Sequence, residues 1–383
     1  MTLMTIALLG LGFALAYVNG ANDVSKGVAT LVGSGVTDYR RAILWGALWT
    51  GVGGLLGATL ATAMVATFGN GLLASGTMPT LTAAMATLFG AAAWVLLATR
   101  SGLPVSTTHA ILGSIMGVGA VAYGVHGLRL SALVGSIFLP LLLSPFISLV
   151  AATALLRLTR PRSATAAHDA DCLCAEVEPG VSAYALGAES SIALATGAAE
   201  LHFTTSSSEA CAAEHPRAIR LTLDHLHWLT SGATSFARGM NDGPKIVALI
   251  VAAATLQGSA TFASPMLFAF ALVTCGMVAG SIAAGRRVTH VLAEEVTPMD
   301  DREGFIANLV TAGLVTVGAT LGLPMSTTHV SSGAIFGAGI QRSSVNKKTL
   351  RDIALAWIVT LPGAALLGIA AFAVGSFVSM ANW

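Results

Sequence analysis

The residues best suited to chemistry come in two copies. Asn22, Asp23 and Lys26 stand in one apolar run and Asn241, Asp242 and Lys245 in another, with Asp23 and Asp242 219 positions apart. Gly-Leu-Pro-Val-Ser-Thr-Thr-His over 102–109 is matched by Gly-Leu-Pro-Met-Ser-Thr-Thr-His over 322–329, an offset of 220. Two motifs repeated at nearly one spacing make the chain a duplicated half. On a helix, Asp23 and Asn22 lie three and four residues from Lys26, so the three side chains share a face. The same holds for Asn241, Asp242 and Lys245. A structural ion pair is the plainer reading of one such copy. Two copies favour a pathway for a charged solute, because ionisable groups in an apolar layer are costly and usually functional.

The Ser-Thr-Thr-His stretches suggest anion binding. Each follows Gly-Leu-Pro, and Pro in a first turn suits a helix start. Ser106, Thr107 and Thr108, with Ser326, Thr327 and Thr328, then stand among backbone N–H groups that lack helical partners. Such a terminus holds an anion through amides, hydroxyls and the helix dipole. A lone cluster of this kind more often just caps its helix; the duplicate favours the functional reading. His109 and His329 fit either a proton relay or a satisfied polar contact. Arg238 takes the place of Asn19 in the other copy and needs an anion or a carboxylate, Asp242 being one choice.

The elements that must position these residues are membrane helices. Of 383 residues, 55% are hydrophobic and only 10% charged, against about 25% charged in soluble domains. A net charge of +1 offers no basic field for nucleic acid. Ten stretches approach the ~20 apolar residues that a span needs: roughly 3–32, 41–67, 80–99, 103–123 and 131–156, then 225–255, 265–285, 304–321, 325–341 and 352–380. Five per half is odd, so the second half enters from the opposite side, giving an inverted repeat. With the N-terminus outside, 15 of the 19 basic residues fall in inner loops, Arg129 alone in an outer loop, and Lys26, Arg238 and Lys245 within spans. That satisfies the positive-inside rule in both halves. The loops agree: Asp38-Tyr39-Arg40-Arg41 follows the first span, and uncharged Gln257-Gly258-Ser259-Ala260 the sixth. The Gly residues beside the Asn-Asp pairs, and Pro244, predict broken or kinked first and sixth spans lining a cavity.

The expected organisation is a first transmembrane repeat at 1–156, a cytoplasmic connecting loop at 157–224 and a second, inverted repeat at 225–383, with both termini outside an inner (cytoplasmic) membrane. The connector is rich in charge, with Asp169, Asp171, Glu176, Glu178, Glu189, Glu200, Glu209 and Glu214, and reads as a solvated linker with a short helix near 183–202. Its Cys172, Cys174 and Cys211 depart from standard zinc spacing and, with Cys275, read as free thiols in a reducing compartment.

Residues 20–24 and 239–242, with the paired Gly-Leu-Pro-x-Ser-Thr-Thr-His stretches, resemble the inorganic phosphate transporter (PiT) family, which also contains sulfate permeases. The resemblance covers both halves and excludes the connector. It implies an all-α integral membrane protein with an inverted-topology repeat of two five-segment halves, re-entrant hairpins and a homodimeric assembly. It also implies that Ser106, Thr107, Thr108, Ser326, Thr327 and Thr328 hold the anion at hairpin tips. Asn22, Asp23, Asn241 and Asp242 would belong to the cation-coupling region, where sodium could sit. The chain departs from the family signature in placing Lys26 and Lys245 where a second Asn is usual. A fixed ammonium can stand in for a bound cation, so protons compete with sodium as the coupling ion.

The resulting expectation is a secondary active importer of inorganic phosphate, a symporter using H+ or Na+, with sulfate as the alternative substrate. Two other classes compete. An intramembrane hydrolase would use Ser106 or Ser326 with His109 or His329, but it lacks an orienting acid, and duplication argues against one catalytic centre. A passive anion channel would carry current without accumulation.

Overall fold

A computed structural model describes residues 3–69, 72–75, 77, 79–160, 172–178, 181–186, 191–196, 200–215, 218–255, 265–342 and 345–381. The loop at 257–260 lies outside them, as do Arg162, Asp169, Asp171, Glu189 and Arg217. The chain divides into two units, Met1–Arg157 with Trp228–Trp383, and Leu158–His227.

The larger unit is helical. Its first part comprises α1 (Leu3–Asp23), α2 (Ser25–Gly33), α3 (Tyr39–Leu60), α4 (Thr62–Gly69), α5 (Leu81–Arg100) and α6 (Thr107–Tyr123). Then α7 (Leu130–Ala132) runs through a π-helical stretch into α8 (Leu139–Leu158). The polypeptide passes through the smaller unit and its helix α9 (Ser208–Glu214), and returns as α10 (Leu223–Thr255). There follow α11 (Pro265–Ala284), α12 (Arg286–His290), α13 (Asp301–Thr320), α14 (Thr327–Arg342) and α15 (Lys347–Ala381). Seven helical segments among the described residues are long and apolar enough to cross a membrane. α6 and α14 are shorter, and α10 dilutes its apolar content with Asp, Lys and Arg. Polarity runs opposite to that of a soluble protein. Phe146, Val150, Ile358 and Phe377 are exposed, whereas Asn22, Lys26, Arg238 and Asn241 are wholly buried.

The backbone between α5 and α6 follows from its residues. Gly102, at φ +76°, ends α5, and the Leu103 amide donates back to the Ala98 carbonyl at 2.9 Å. That 6→1 bond closes a Schellman turn, which needs a left-handed residue at the glycine. Pro104 cannot continue a helix, and Ser106 starts α6 by accepting from the His109 amide at 3.2 Å. Gly322 (φ +70°), the Leu323-to-Gly318 bond at 2.9 Å and the Ser326 cap on the His329 amide at 3.2 Å repeat the arrangement between α13 and α14. Each proline thus precedes the cap rather than lying in the first helical turn. Each half therefore carries a helical hairpin with a short extended tip. The base of the second hairpin is fixed by Arg342, which pairs with Asp300 and with Glu303, the two residues of the capping box of α13.

Of the two expected breaks, one is present and one is not. The first span is interrupted at Val24, where the Asn22 carbonyl accepts both the Ser25 hydroxyl and the Lys26 ammonium at 2.8 Å each, which compete with the helical ladder. The sixth span is not interrupted: α10 continues through Gly239, Gly243 and Pro244. The glycines beside the Asn-Asp pairs permit close approach instead of breaking helices. A Cβ on Gly20 would lie 2.0 Å from the Met277 carbonyl oxygen of α11, and one on Gly239 2.3 Å from the Thr50 carbonyl oxygen of α3. Small residues at such crossings let membrane helices touch by their backbones.

The smaller unit is not an unstructured linker. Strands β1 (Cys172–Glu178), β4 (Glu200–Ser206) and β5 (Ile219–Thr222) form an antiparallel sheet in the order β4-β1-β5. β2 (Val181–Leu186) and β3 (Ser191–Thr196) pair as a second sheet, replacing the helix expected near 183–202. The free-thiol reading also fails for two residues: Cys174 and Cys211 form a disulfide, while Cys172 and Cys275 are unbonded.

Candidate functional site

The two hairpin tips meet. The Thr328 hydroxyl of the second donates to the Val105 carbonyl of the first at 2.7 Å, and the His109 and His329 rings stack edge-on with centroids 4.5 Å apart. Val105, Ser106 and Ser326 are about 1% exposed. The stretches at 80–99 and 103–123, and at 304–321 and 325–341, are therefore arms of hairpins whose tips turn inside the helical unit. Hydropathy reports how apolar a segment is but not where it reverses.

The Asn-Asp-Lys motifs bind these tips. Asn22 donates to Thr99 and to the Leu103 carbonyl, each at 3.0 Å, and accepts from the Val105 amide at 3.2 Å. Asn241 donates to the Met325 carbonyl at 3.0 Å. Each amide thus satisfies backbone groups that the extended tip leaves without helical partners. Lys26 is held by Asn22 Oδ1 and Asp23 Oδ1, both at 2.7 Å. Lys245 donates to Thr108 at 2.7 Å, Asp242 Oδ1 at 3.1 Å and the Met325 carbonyl at 3.2 Å. It therefore links both tips. Thr107 donates to Asp23 Oδ2 at 3.2 Å.

Asn19 joins the two copies. Its amide donates to Asp23 Oδ2 at 2.8 Å and to Asp242 Oδ2 at 3.2 Å, so the two carboxylates belong to one cluster. Motif reading passed over Asn19; its signal was the i,i+4 spacing to Asp23. Arg238 occupies the corresponding place in α10 but does not form a hydrogen-bonded pair with Asp242. It donates to Thr50 and, at 3.4 Å, to Ser281. Its Nε and Nη1 have no partner among the described residues, although the residue is 0% exposed.

These positions determine what the site can do. Asp23, Lys26, Arg238, Asp242 and Lys245 are each no more than 3% exposed. With two carboxyl and three basic side chains, the cluster has a formal charge of +1 when all five are ionised. Burying an unbalanced charge is expensive, so the cluster is suited to a small anion. Ser106 and Ser326 use their oxygens as acceptors in the caps and keep hydroxyl protons to donate. Beside this region, Thr99, Arg100, Arg286 and Arg287 line a cavity of about 460 Å³.

The geometry is poor for nucleophilic catalysis. Each Ser faces the backbone amide of the following His rather than its ring, and Nδ1 of both imidazoles lacks a partner. A serine nucleophile needs its base within hydrogen-bond reach. Trp357, which stacks on His329 at 4.0 Å between centroids, is a further neighbour that sequence spacing gave no reason to expect.

Comparison with known proteins places this architecture. The chain is 28% identical over 387 residues to a protein of Pyrococcus abyssi named "Putative phosphate permease", covering 93% of this chain and 94% of that one. It is 29% identical over 425 residues to a chloroplastic inorganic phosphate transporter of Arabidopsis thaliana, covering 96% and 71%. Its fold matches that of a solved structure titled as a sodium-dependent phosphate transporter, with a TM-score of 0.77, 22% identity and 98% of this chain covered. Together with the apolar helices, and with the profile of the phosphate transporter family matching residues 19–368, these findings make the chain a multi-pass membrane protein that belongs to the phosphate transporter family.

Proposed function

We propose that this chain is a secondary active carrier that imports inorganic phosphate across a cytoplasmic membrane, coupled to protons. The observation that carries the reading is the buried cluster of two carboxylates and three cations between two hydroxyl-bearing helix starts. Its surplus of one positive charge matches dihydrogenphosphate, a monoanion that also has O–H groups to donate to Asp23 or Asp242. Sulfate is a dianion with no proton to offer; it overfills the charge and meets two carboxylates. Ser106, Thr107, Thr108, Ser326, Thr327 and Thr328 supply hydroxyl and amide donors in this scheme, and Arg238 a guanidinium with unpartnered N–H groups. Arg100, Arg286 and Arg287 draw the anion to the adjoining cavity, since one-signed clefts concentrate counter-ions.

Proton coupling rests on the lysines. The oxygens of Asn22 and Asp23 that could hold sodium already accept from Lys26 at 2.7–2.8 Å, and Asp242 accepts from Lys245. A sodium ion does not fit that donor set without displacing an ammonium. His109 and His329, each with an unpartnered Nδ1, offer proton acceptors beside the tips. In this reading the halves enter the bilayer from opposite sides, both termini lie outside, and the smaller unit is cytoplasmic, following the distribution of basic residues.

The test is uptake of labelled phosphate into proteoliposomes, under separate proton and sodium gradients at a clamped membrane potential, with sulfate as competitor. A proton gradient is expected to drive accumulation, and tenfold sulfate to leave it largely intact. Accumulation driven by sodium alone at fixed pH overturns the coupling. Equal competition by sulfate overturns the substrate assignment.

A further inference from the structure

The smaller unit holds chemistry that transport does not use. Strand β1 lies at the centre of its sheet. Side chains two apart on a strand point to the same face, so Cys172, Cys174 and Glu176 form a row. Helix α9, capped by Ser207, brings Cys211 against Cys172 and Cys174. The three cysteines are 3%, 1% and 0% exposed, and their sulfur atoms all lie within 4.8 Å of one another. One turn beyond Cys211 stands His215, whose Nδ1 lies 2.6 Å from Glu176 Oε2.

Among the described residues of this unit, the three sulfur side chains pack together with Ala218 against them. Small domains usually add a disulfide or a metal. The Cys174–Cys211 disulfide uses two of the sulfurs and leaves a buried third beside them. Structural zinc takes four ligands, and three clustered sulfurs supply all but one of them. The strand also accounts for the spacing: alternate residues of an extended chain can do what the two-residue gap does in a zinc knuckle.

We propose that, in its reduced state, the smaller unit binds one zinc-class cation through Cys172, Cys174 and Cys211, with the fourth position taken by water or another outside ligand. The disulfide is the metal-free, oxidised form of the same site. An external dithiol opens it by supplying two electrons and two protons and becoming a disulfide itself, which returns Cys174 and Cys211 as thiols. Binding then replaces the three thiol protons with the metal.

The test uses the full-length protein in mild detergent, reduced with a phosphine under anaerobic conditions and titrated with Co2+. Thiolate-to-cobalt charge-transfer absorption should appear, saturate at one equivalent per chain and be displaced by Zn2+. Cys172→Ser, which leaves the disulfide pair untouched, should abolish the absorption. The proposal is overturned if reduced wild-type protein shows no charge-transfer band, or if the band survives Cys172→Ser. The wild-type titration decides the matter even where a variant fails to fold.

Discussion

Lys245 is the cation whose loss should be felt in both stability and transport. It donates to both hairpin tips, through Thr108 and the Met325 carbonyl, while pairing with Asp242. Consider Lys245→Met, which keeps the length of the side chain and removes the charge. At 3.1 Å and an effective dielectric constant of about 20, the ion pair represents roughly 5 kcal/mol of attraction. Not all of it is lost. Asp242 retains hydrogen bonds from Asn241 at 2.8 Å and Asn19 at 3.2 Å. Leaving one partner of a buried pair uncompensated typically costs about 3–5 kcal/mol. Adding Asp242→Asn should recover at least ~2 kcal/mol of that cost, because the orphaned carboxylate goes too.

Denaturant unfolding of both variants in mild detergent measures this coupling. Transport supplies the second readout. Lys245→Met takes the cluster from one surplus positive charge to none. A lost charged hydrogen bond of about 1.5–3 kcal/mol raises KM for phosphate by about 10- to 150-fold, if the site binds a monoanion by charge balance. The reasoning is refuted if Lys245→Met folds with near wild-type stability and its KM moves by less than twofold.

Three further outcomes follow from single contacts. Gly20→Ala and Gly239→Ala should each destabilise the helical unit by about 1–3 kcal/mol or more, because a Cβ meets a backbone carbonyl at 2.0 and 2.3 Å; Gly10→Ala, with nothing within 4 Å, is the matched control and should lose nothing. Ser106→Ala and Ser326→Ala each remove a helix cap and should cost about 1 kcal/mol in unfolding, whereas Ser→Gly at the same positions should cost only a few tenths. Lys26→Asn restores the residue usual in the family and frees the Asn22 and Asp23 oxygens, so phosphate uptake should become sodium-stimulated; sodium-independent uptake in this variant would argue that Lys26 does not occupy the cation's place.

Much of this site was legible because its chemistry was duplicated. Repetition singled out Asp23 with Lys26 and Asp242 with Lys245, and the i,i+3 spacing correctly paired them. The Gly-Leu-Pro-x-Ser punctuation also encoded the tips: glycine for the left-handed stop, proline against continuation, serine for the restart. What the pattern could not convey was depth. The tip residues carry few charges, so a hydropathy scan merges them with neighbouring spans and sees no reversal. The smaller unit was misread for a different reason. Its charged composition suggested a solvated linker, while the alternation in Cys172-Leu173-Cys174-Ala175-Glu176-Val177 carried the strand signal.

The most informative position is the one where the duplication fails. Arg238 stands where the first half has Asn19, and the two residues have divided a task that symmetry would have made identical. Asn19, neutral, bridges both carboxylates and so holds the halves together without changing their charge. Arg238, charged, turns instead to Thr50 and Ser281. Two identical Asn-Asp-Lys copies would balance to zero and leave no preference for an anion. The odd charge comes from the single asymmetric residue, and under the proposed function it is this charge that would let the buried cluster select a monoanion rather than merely tolerate one.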